Sequence, residues 1–168
     1  TDADGYAYEA CFGLRDRRNR VPNEVDTRFG IASGTKLFTA LSIGRLIDSG
    51  RLSLETEVGE LLPEPKSYVS DAATIRQLLS HQSGIFDYYD EEMETDSNEF
   101  ELGIPPYKLE NPSDYLPMFV GQPMKYSPGE RYAYSNGGYV FLGWGNGIIA
   151  GEPYRAFVER EVLRPAGM

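Results

Sequence analysis

The sequence predicts an α/β (α+β) fold in one domain, with an N-terminal strand region followed by a mostly helical body. Three observations predict it. The stretch GYAYEACFGL (5–14) is rich in aromatic and small apolar residues and ends in the charged RDRRNR, as a strand running into a turn does. Beyond FGIAS, apolar residues at Leu37, Phe38, Leu41, Leu46 and Ile47 recur at helical spacing. Hydrophobic residues make up 40% and aromatic residues 12% of the 168 residues, the range of a globular chain. A chain of this length buries roughly 70% of its unfolded surface on folding.

The elements follow in order. The strand spans 5–14. The first helix starts near Ser33 and stops at Ser49-Gly50. RLSLETEVGELLPEPKS (51–67) has short apolar pairs and two prolines and reads as irregular chain. It leads to a short helix in DAATIRQLLSH (71–81), with Asp71 as its cap and Gly84 as its end. Residues 87–101 carry eight acidic residues and no base, which predicts a solvated, mobile surface loop. SDYLPMFV (113–120) and GGYVFLGWGNGIIAG (137–151) are both helical in pattern, the second despite four interior glycines that lower helix propensity. EPYRAFVEREVL (152–163) is an amphipathic helix. No internal repeat or low-complexity tract is present.

Charge and cysteine usage exclude several functions. Sixteen basic and 26 acidic residues give a net charge of -10, which repels nucleic-acid backbones and anionic membranes. No run of 18 apolar residues exists to cross a bilayer. The N-terminus TDADGYAYEA lacks the basic and apolar regions of a signal peptide, so the chain is expected to be cytoplasmic or to have lost its signal before residue 1. Cys11 has no partner for an internal disulfide and reads as a packed strand residue. One histidine and one cysteine 70 residues apart make no ligand set, and the acidic stretch lacks the spacing of a known calcium loop. Neither a metal nor another cofactor is expected.

Two constellations carry candidate chemistry. In FGIASGTKLF (29–38), Ser33 precedes Lys36 by three residues, one helical turn away on the same face. A serine alcohol becomes a useful nucleophile when a neighbouring base takes its proton, and a helix N-terminus favours the alkoxide that develops. A lysine serves as that base where burial disfavours its charged form, and GIASGTKLFTALSI is apolar enough for burial. Twelve serines and four lysines produce this spacing by chance about 0.3 times, so the pair alone reads more readily as a capping serine beside a solvated lysine. In YSPGERYAYSNGGY (126–139), Tyr134 and Asn136 are two apart, on one side of an extended chain, and would enter one pocket together. A phenol there can shuttle a proton and an amide can hold a substrate amide or carbonyl. The same residues also make an ordinary turn.

Taken in order, these stretches resemble the serine β-lactamase and penicillin-binding-protein superfamily, on the class C side. FGIASGTK resembles its S-x-x-K motif and YSN (134–136) its Y-x-N motif. The framing segments GRLSLETEVGELLPE, TIRQLLSHQSGI, YSPGERYAYSN and FVEREVLRPAGM match as well, so the resemblance covers nearly the whole chain from about residue 5, sparing the acidic stretch. It implies a β-lactamase/transpeptidase-like fold, represented here mostly by the helical subdomain plus N-terminal strand or strands of an antiparallel sheet. It implies that Ser33 is the acylated nucleophile, Lys36 its general base, Tyr134 the proton shuttle to the leaving group and Asn136 a ligand of the substrate amide. The Ser33 N–H would supply half of an oxyanion hole. The expected function is a serine hydrolase acting on a β-lactam, a D-amino-acid peptide or an ester. β-Lactamases, D-alanyl-D-alanine carboxypeptidases and esterases share the scaffold, and an extracytoplasmic location is favoured by the same resemblance.

One feature of the family is missing. Its third motif, Lys or His, then a small residue, then Gly, is not present: no lysine here has Gly two residues on, and His81 in SHQSG has Ser83 there. His81 matches a position that the family uses structurally, as a packed or capping residue. Residues 1–168 are therefore expected to be a partial catalytic domain, whose unpaired strand edge is completed by a second chain or segment. The acidic loop, if near the site, disfavours carboxylate substrates and points to neutral or cationic acyl donors. The alternative is a non-catalytic module that keeps the pocket and binds a ligand or partner.

Overall fold

The structure, a computed structural model, describes residue 5 and residues 8–61, 72–90, 92, 102–119 and 121–168. It divides into two compact units, Thr1–Gly34 and Thr35–Met168.

In the first unit, β1 (Leu14–Asp16) pairs antiparallel with β2 (Val21–Pro22), with a register irregularity between Leu14 and Asp16. The turn between them is tied by Asp16, whose carboxylate accepts the Asn19 N–H at 2.9 Å and the Asn19 Nδ2–H at 2.7 Å. These bonds hold the Asp16 carboxyl below its ordinary range. The strand expected over 5–14 is displaced: among its described residues only Leu14 is extended in the sheet. The reason is local. Asn23 bonds the chain at 12–13 through its side chain as well as its backbone, Nδ2–H to Phe12 O at 2.7 Å and N–H to Gly13 O at 3.0 Å, and Gly13 adopts φ 76°. The bond to Gly13 continues the pairing by one residue, and at Phe12 a side-chain donor takes the carbonyl instead of a backbone N–H. Cys11, expected to pack, is exposed.

The second unit is helical. α1 (Lys36–Asp48) ends at Ser49-Gly50, as expected, with Gly50 at φ 71°. α2 (Val58–Leu61), α3 (Ile75–Leu79), a 3-10 segment (Pro112–Met118), α4 (Asn136–Ala150) and α5 (Tyr154–Val158) follow, and a π-helical turn, Glu159–Leu163, extends α5. The core is formed by Ile43 and Leu46 of α1, Ile75 and Leu78 of α3, Phe141 and Leu142 of α4, Phe157 of α5 and the connecting Ile85 and Phe119. Each such side chain removed from water contributes about 1.5–3 kcal/mol.

The apolar spacing on α1 identifies a helix but not its buried face. Leu37 and Leu41 are exposed, whereas Thr39, Ser42, Ile43 and Leu46 face inward. The two polar residues are tolerated because both are bonded. Thr39 Oγ1 shares a 2.6 Å hydrogen bond with Tyr154 Oη, and Ser42 Oγ donates to Thr39 O at 2.7 Å.

Three helix ends also differ from expectation. The α-helical ladder begins at Lys36, and Ser33 lies before it in a 3-10 turn, Ala32–Thr35. α3 is capped by Thr74, which accepts the Gln77 N–H while Gln77 Oε1 accepts the Thr74 N–H; the expected cap, Asp71, lies outside the described residues. The helix ends before Gly84, because the chain turns left-handed at His81, φ 58°. Gly84 has a different task. Its φ is 70°, and a Cβ there would sit 2.1 Å from Tyr126 O.

Candidate active site

Fold geometry brings together residues one hundred positions apart. Lys36 opens α1 and Asn136 opens α4, and Lys36 Nζ donates to Asn136 Oδ1 at 2.8 Å. The same nitrogen lies 4.9 Å from the centroid of the Tyr134 ring and 5.6 Å from that of Tyr139. Ser135 between them is extended (φ -139°, ψ 118°), which puts Tyr134 and Asn136 on one side of the chain, as their spacing predicts. Ser33 lies in the other compact unit, in the turn just before Lys36. Its neighbour Ala32 holds a left-handed φ of 44°, a strained conformation for a residue with a Cβ.

The start of α4 is anchored from two sides. Ser135 caps it, its Oγ accepting the Gly138 N–H at 2.9 Å. The Asp87 carboxylate accepts the Asn136 N–H through a very short bond, the Gly137 N–H at 3.3 Å and the Tyr89 N–H at 3.1 Å. An anion at a helix N-terminus complements the unpaired N–H groups and the dipole. Asp87 is only 2% exposed, and burial pushes its carboxyl above the ordinary range despite these donors. On the other side, His81 Nδ1 accepts the Ser135 N–H at 3.0 Å, and the His81 ring packs 4.6 Å from that of Tyr134 and 5.1 Å from that of Tyr139. Burial first, and then the neighbouring Lys36, push the His81 pKa below its ordinary value.

A cavity of about 480 Å³ adjoins these groups. Lys36 and Asn136 line it together with Thr39 and the rings of Tyr88, Tyr115, Tyr139 and Tyr154, and Glu110 and Arg155 supply charge. Tyr134, expected to enter the same pocket as Asn136, is not among its lining residues, although it stands beside Lys36.

The acidic stretch departs from its expected character where the structure describes it. Asp87 is buried, and Asp90 and Glu92 are paired. Lys125 Nζ lies 2.8 Å from carboxylate oxygens of both, and Arg131 makes a bidentate pair with Glu92 at 2.5 and 3.0 Å. The bonds from Arg131 and Lys125 hold the Glu92 carboxyl down at about 2. Two bases from KYSPGERY (125–132) thus neutralise this end of the stretch, and the repulsion of carboxylate substrates expected from it has no support in these residues. Residues 93–101 lie outside the described part. Among the described residues, no group of His, Cys, Asp and Glu could hold a metal ion, and no helix is long and apolar enough to cross a membrane.

Sequence reasoning missed Asp87 as a site residue. In the sequence it is the first of eight acids, and only the preceding apolar Ile85-Phe86 marks it as the inward-facing one.

A lysine, an asparagine and a tyrosine are thus gathered at two helix starts. The pattern of the Beta-lactamase family matches residues 1–168, and the chain belongs to that family. Its fold is β-lactamase/transpeptidase-like. The chain is 31% identical over 163 residues to a penicillin-binding protein of Bacillus subtilis, covering 96% of this chain and 34% of the relative. A penicillin binding protein from Bacillus halodurans superimposes with a TM-score of 0.83 at 42% identity, over 95% of this chain and 48% of that one. D-amino acid amidase from Ochrobactrum anthropi SV3, solved with L-phenylalanine amide, superimposes with a TM-score of 0.76 at 26% identity, over 93% of this chain and 40% of that one. The chain spans about a third of the length of the curated relatives it matches. The superfamily is one of serine hydrolases that act on β-lactams and on D-amino acid amides or esters.

Proposed function

We propose that this chain carries the acylating groups of a serine hydrolase that forms an acyl-serine on a β-lactam, a D-amino-acid peptide or amide, or an ester. Ser33 Oγ attacks the carbonyl carbon while Lys36 takes its proton. Tyr134, against the Lys36 nitrogen, relays a proton to the departing amine or alkoxide. Asn136 presents its Nδ2–H to the substrate carbonyl, since its Oδ1 is engaged by Lys36. Water then hydrolyses the acyl-serine. The observation that carries this reading is the 2.8 Å bond between Lys36 Nζ and Asn136 Oδ1 with the Tyr134 ring 4.9 Å away. A base, a proton carrier and an amide around one point are what acyl transfer to serine requires. The adjoining cavity, with four tyrosine rings, suits an acyl group that is largely apolar with a polar edge.

The test is intact-mass measurement after incubation with a penicillin, a D-phenylalanine amide and a p-nitrophenyl ester in turn. The reading expects a covalent adduct of one acyl group with at least one donor, absent in Ser33→Ala, and the donor that reacts identifies the substrate class. A folded protein that binds these compounds without ever forming an adduct would instead be a non-catalytic binding module.

A further inference from the structure

His81 takes two backbone donors from the segment that leads into α4. Its carbonyl accepts the Ala133 N–H at 2.9 Å and its ring Nδ1 accepts the Ser135 N–H at 3.0 Å. The residue between those donors is Tyr134, and the one after them is Asn136. His81 does this from a left-handed backbone, φ 58°. Glycine would adopt that conformation at no steric cost, but it would bring no acceptor for Ser135. The second N–H of the pair is read by the ring, so the strain is coupled to a specific side-chain contact, which is the pattern of a functional constraint rather than of a turn.

Because Nδ1 accepts, the neutral ring carries its proton on Nε2. Protonating Nδ1 would turn a donor-acceptor contact into two donors facing each other. Resting on the catalytic reading above, we infer that His81 is a positioning residue that clamps the backbone at Ala133 and Ser135, holding Tyr134 and Asn136 at Lys36, and that protonation of its ring opens the clamp.

The titratable groups that face the ring are Lys36 from α1, Tyr132 and Tyr134 from the clamped segment, and Tyr139 from α4. Burial and the Lys36 charge both disfavour a protonated ring, so its folded pKa lies below the ordinary 6.5. A lowered folded value gives a contribution that is present above the unfolded value and lost as pH falls through the folded one. The clamp is therefore closed at neutral pH and opens in mild acid.

His81 is the only histidine of the chain, so its ring signals are unambiguous in an NMR titration. The clamp predicts that the Ser135 amide and the Tyr134 ring signals move with the same midpoint as the His81 ring, below pH 6.5. It also predicts that His81→Asn, whose Oδ1 can accept the Ser135 N–H from a left-handed residue, labels Ser33 with a fluorophosphonate within about threefold of the wild-type rate and loses the Ser135 titration. His81→Ala should label about 10-fold or more slowly at unchanged fluorophosphonate affinity, because misplacement of a reacting group by an ångström is felt at that level. A Ser135 amide indifferent to the protonation of His81 would overturn the clamp. So would a His81→Ala protein that labels as fast as wild type. If His81→Ala does not fold, the wild-type and His81→Asn titrations decide alone. If no variant labels Ser33 at all, the catalytic reading fails while the amide titration still answers for the clamp.

Discussion

Asp87 shows how a single side chain organises the site without entering it. Three backbone N–H groups converge on its carboxylate, two of them the first donors of α4. Truncation in Asp87→Ala leaves them buried without an acceptor and is expected to lower unfolding stability by about 1–3 kcal/mol in denaturant titrations. The pH dependence has a definite sign. Burial raises the folded pKa of Asp87 above 3.8, so its contribution is greatest below that value and is lost as pH rises through the folded pKa. Wild type should therefore lose stability relative to Asp87→Asn between acid and neutral pH; a wild type that gains stability relative to Asp87→Asn as pH rises would refute this account of the buried carboxyl. Of the candidate site residues, Lys36, Tyr134 and Asn136 were legible as neighbours because motif spacing survives in sequence. Asp87 was not, because what sets it apart is burial against the start of α4, whose N–H groups reach it from far away in the chain. Ser33 remains a reading from its motif and from its place beside the strained Ala32.

At the scale of elements, local chemistry fixed the helices that carry strong end signals. α3 is held by a reciprocal pair between Thr74 and Gln77, so Thr74→Ala should cost about 1 kcal/mol in thermal or chemical unfolding. α4 forms across interior glycines because close packing demands one of them. A Cβ on Gly137 would lie 2.7 Å from the Phe119 ring and 2.8 Å from Phe86 O. Gly137→Ala is expected to destabilise the protein by more than about 1 kcal/mol, although alanine is the better helix former; a stabilised variant would show that α4 has room to shift. The elements that sequence misplaced are those where a tertiary partner overrides local pattern. The 112–118 segment is 3-10 rather than α-helical, with Pro117 unable to donate within it. The strand of the first unit begins where the aromatic run ends, at the point where the Asn23 side chain takes the Phe12 carbonyl.

Across the whole molecule the net charge is -10, and among the described residues some of the acids are locally paired. Lys125 and Arg131 hold Asp90 and Glu92, and with the Glu92 carboxyl lowered from 4.5 to about 2, its contribution is present above pH 4.5 and is lost as pH falls toward 2. The acid midpoint of Arg131→Gln should accordingly lie at higher pH than that of wild type, by an amount that shrinks in 1 M salt, where the Debye length falls to about 3 Å. An acid midpoint unmoved at low salt would show that these exposed pairs contribute nothing to folding. The helical body and the family were legible because the motifs and framing segments agree in order along the chain. Substrate was not, since the cavity is assembled from tyrosines scattered between residues 88 and 154. The central claim is that Lys36, held by Asn136 and Tyr134, activates Ser33. Peptide mapping by mass spectrometry after fluorophosphonate treatment tests it most directly. The account predicts an adduct on Ser33 alone among the twelve serines, formed at least about 100-fold more slowly in Lys36→Met. An adduct on Ser135 or Ser83 with Ser33 untouched, or labelling of Ser33 that proceeds equally fast without Lys36, would contradict it.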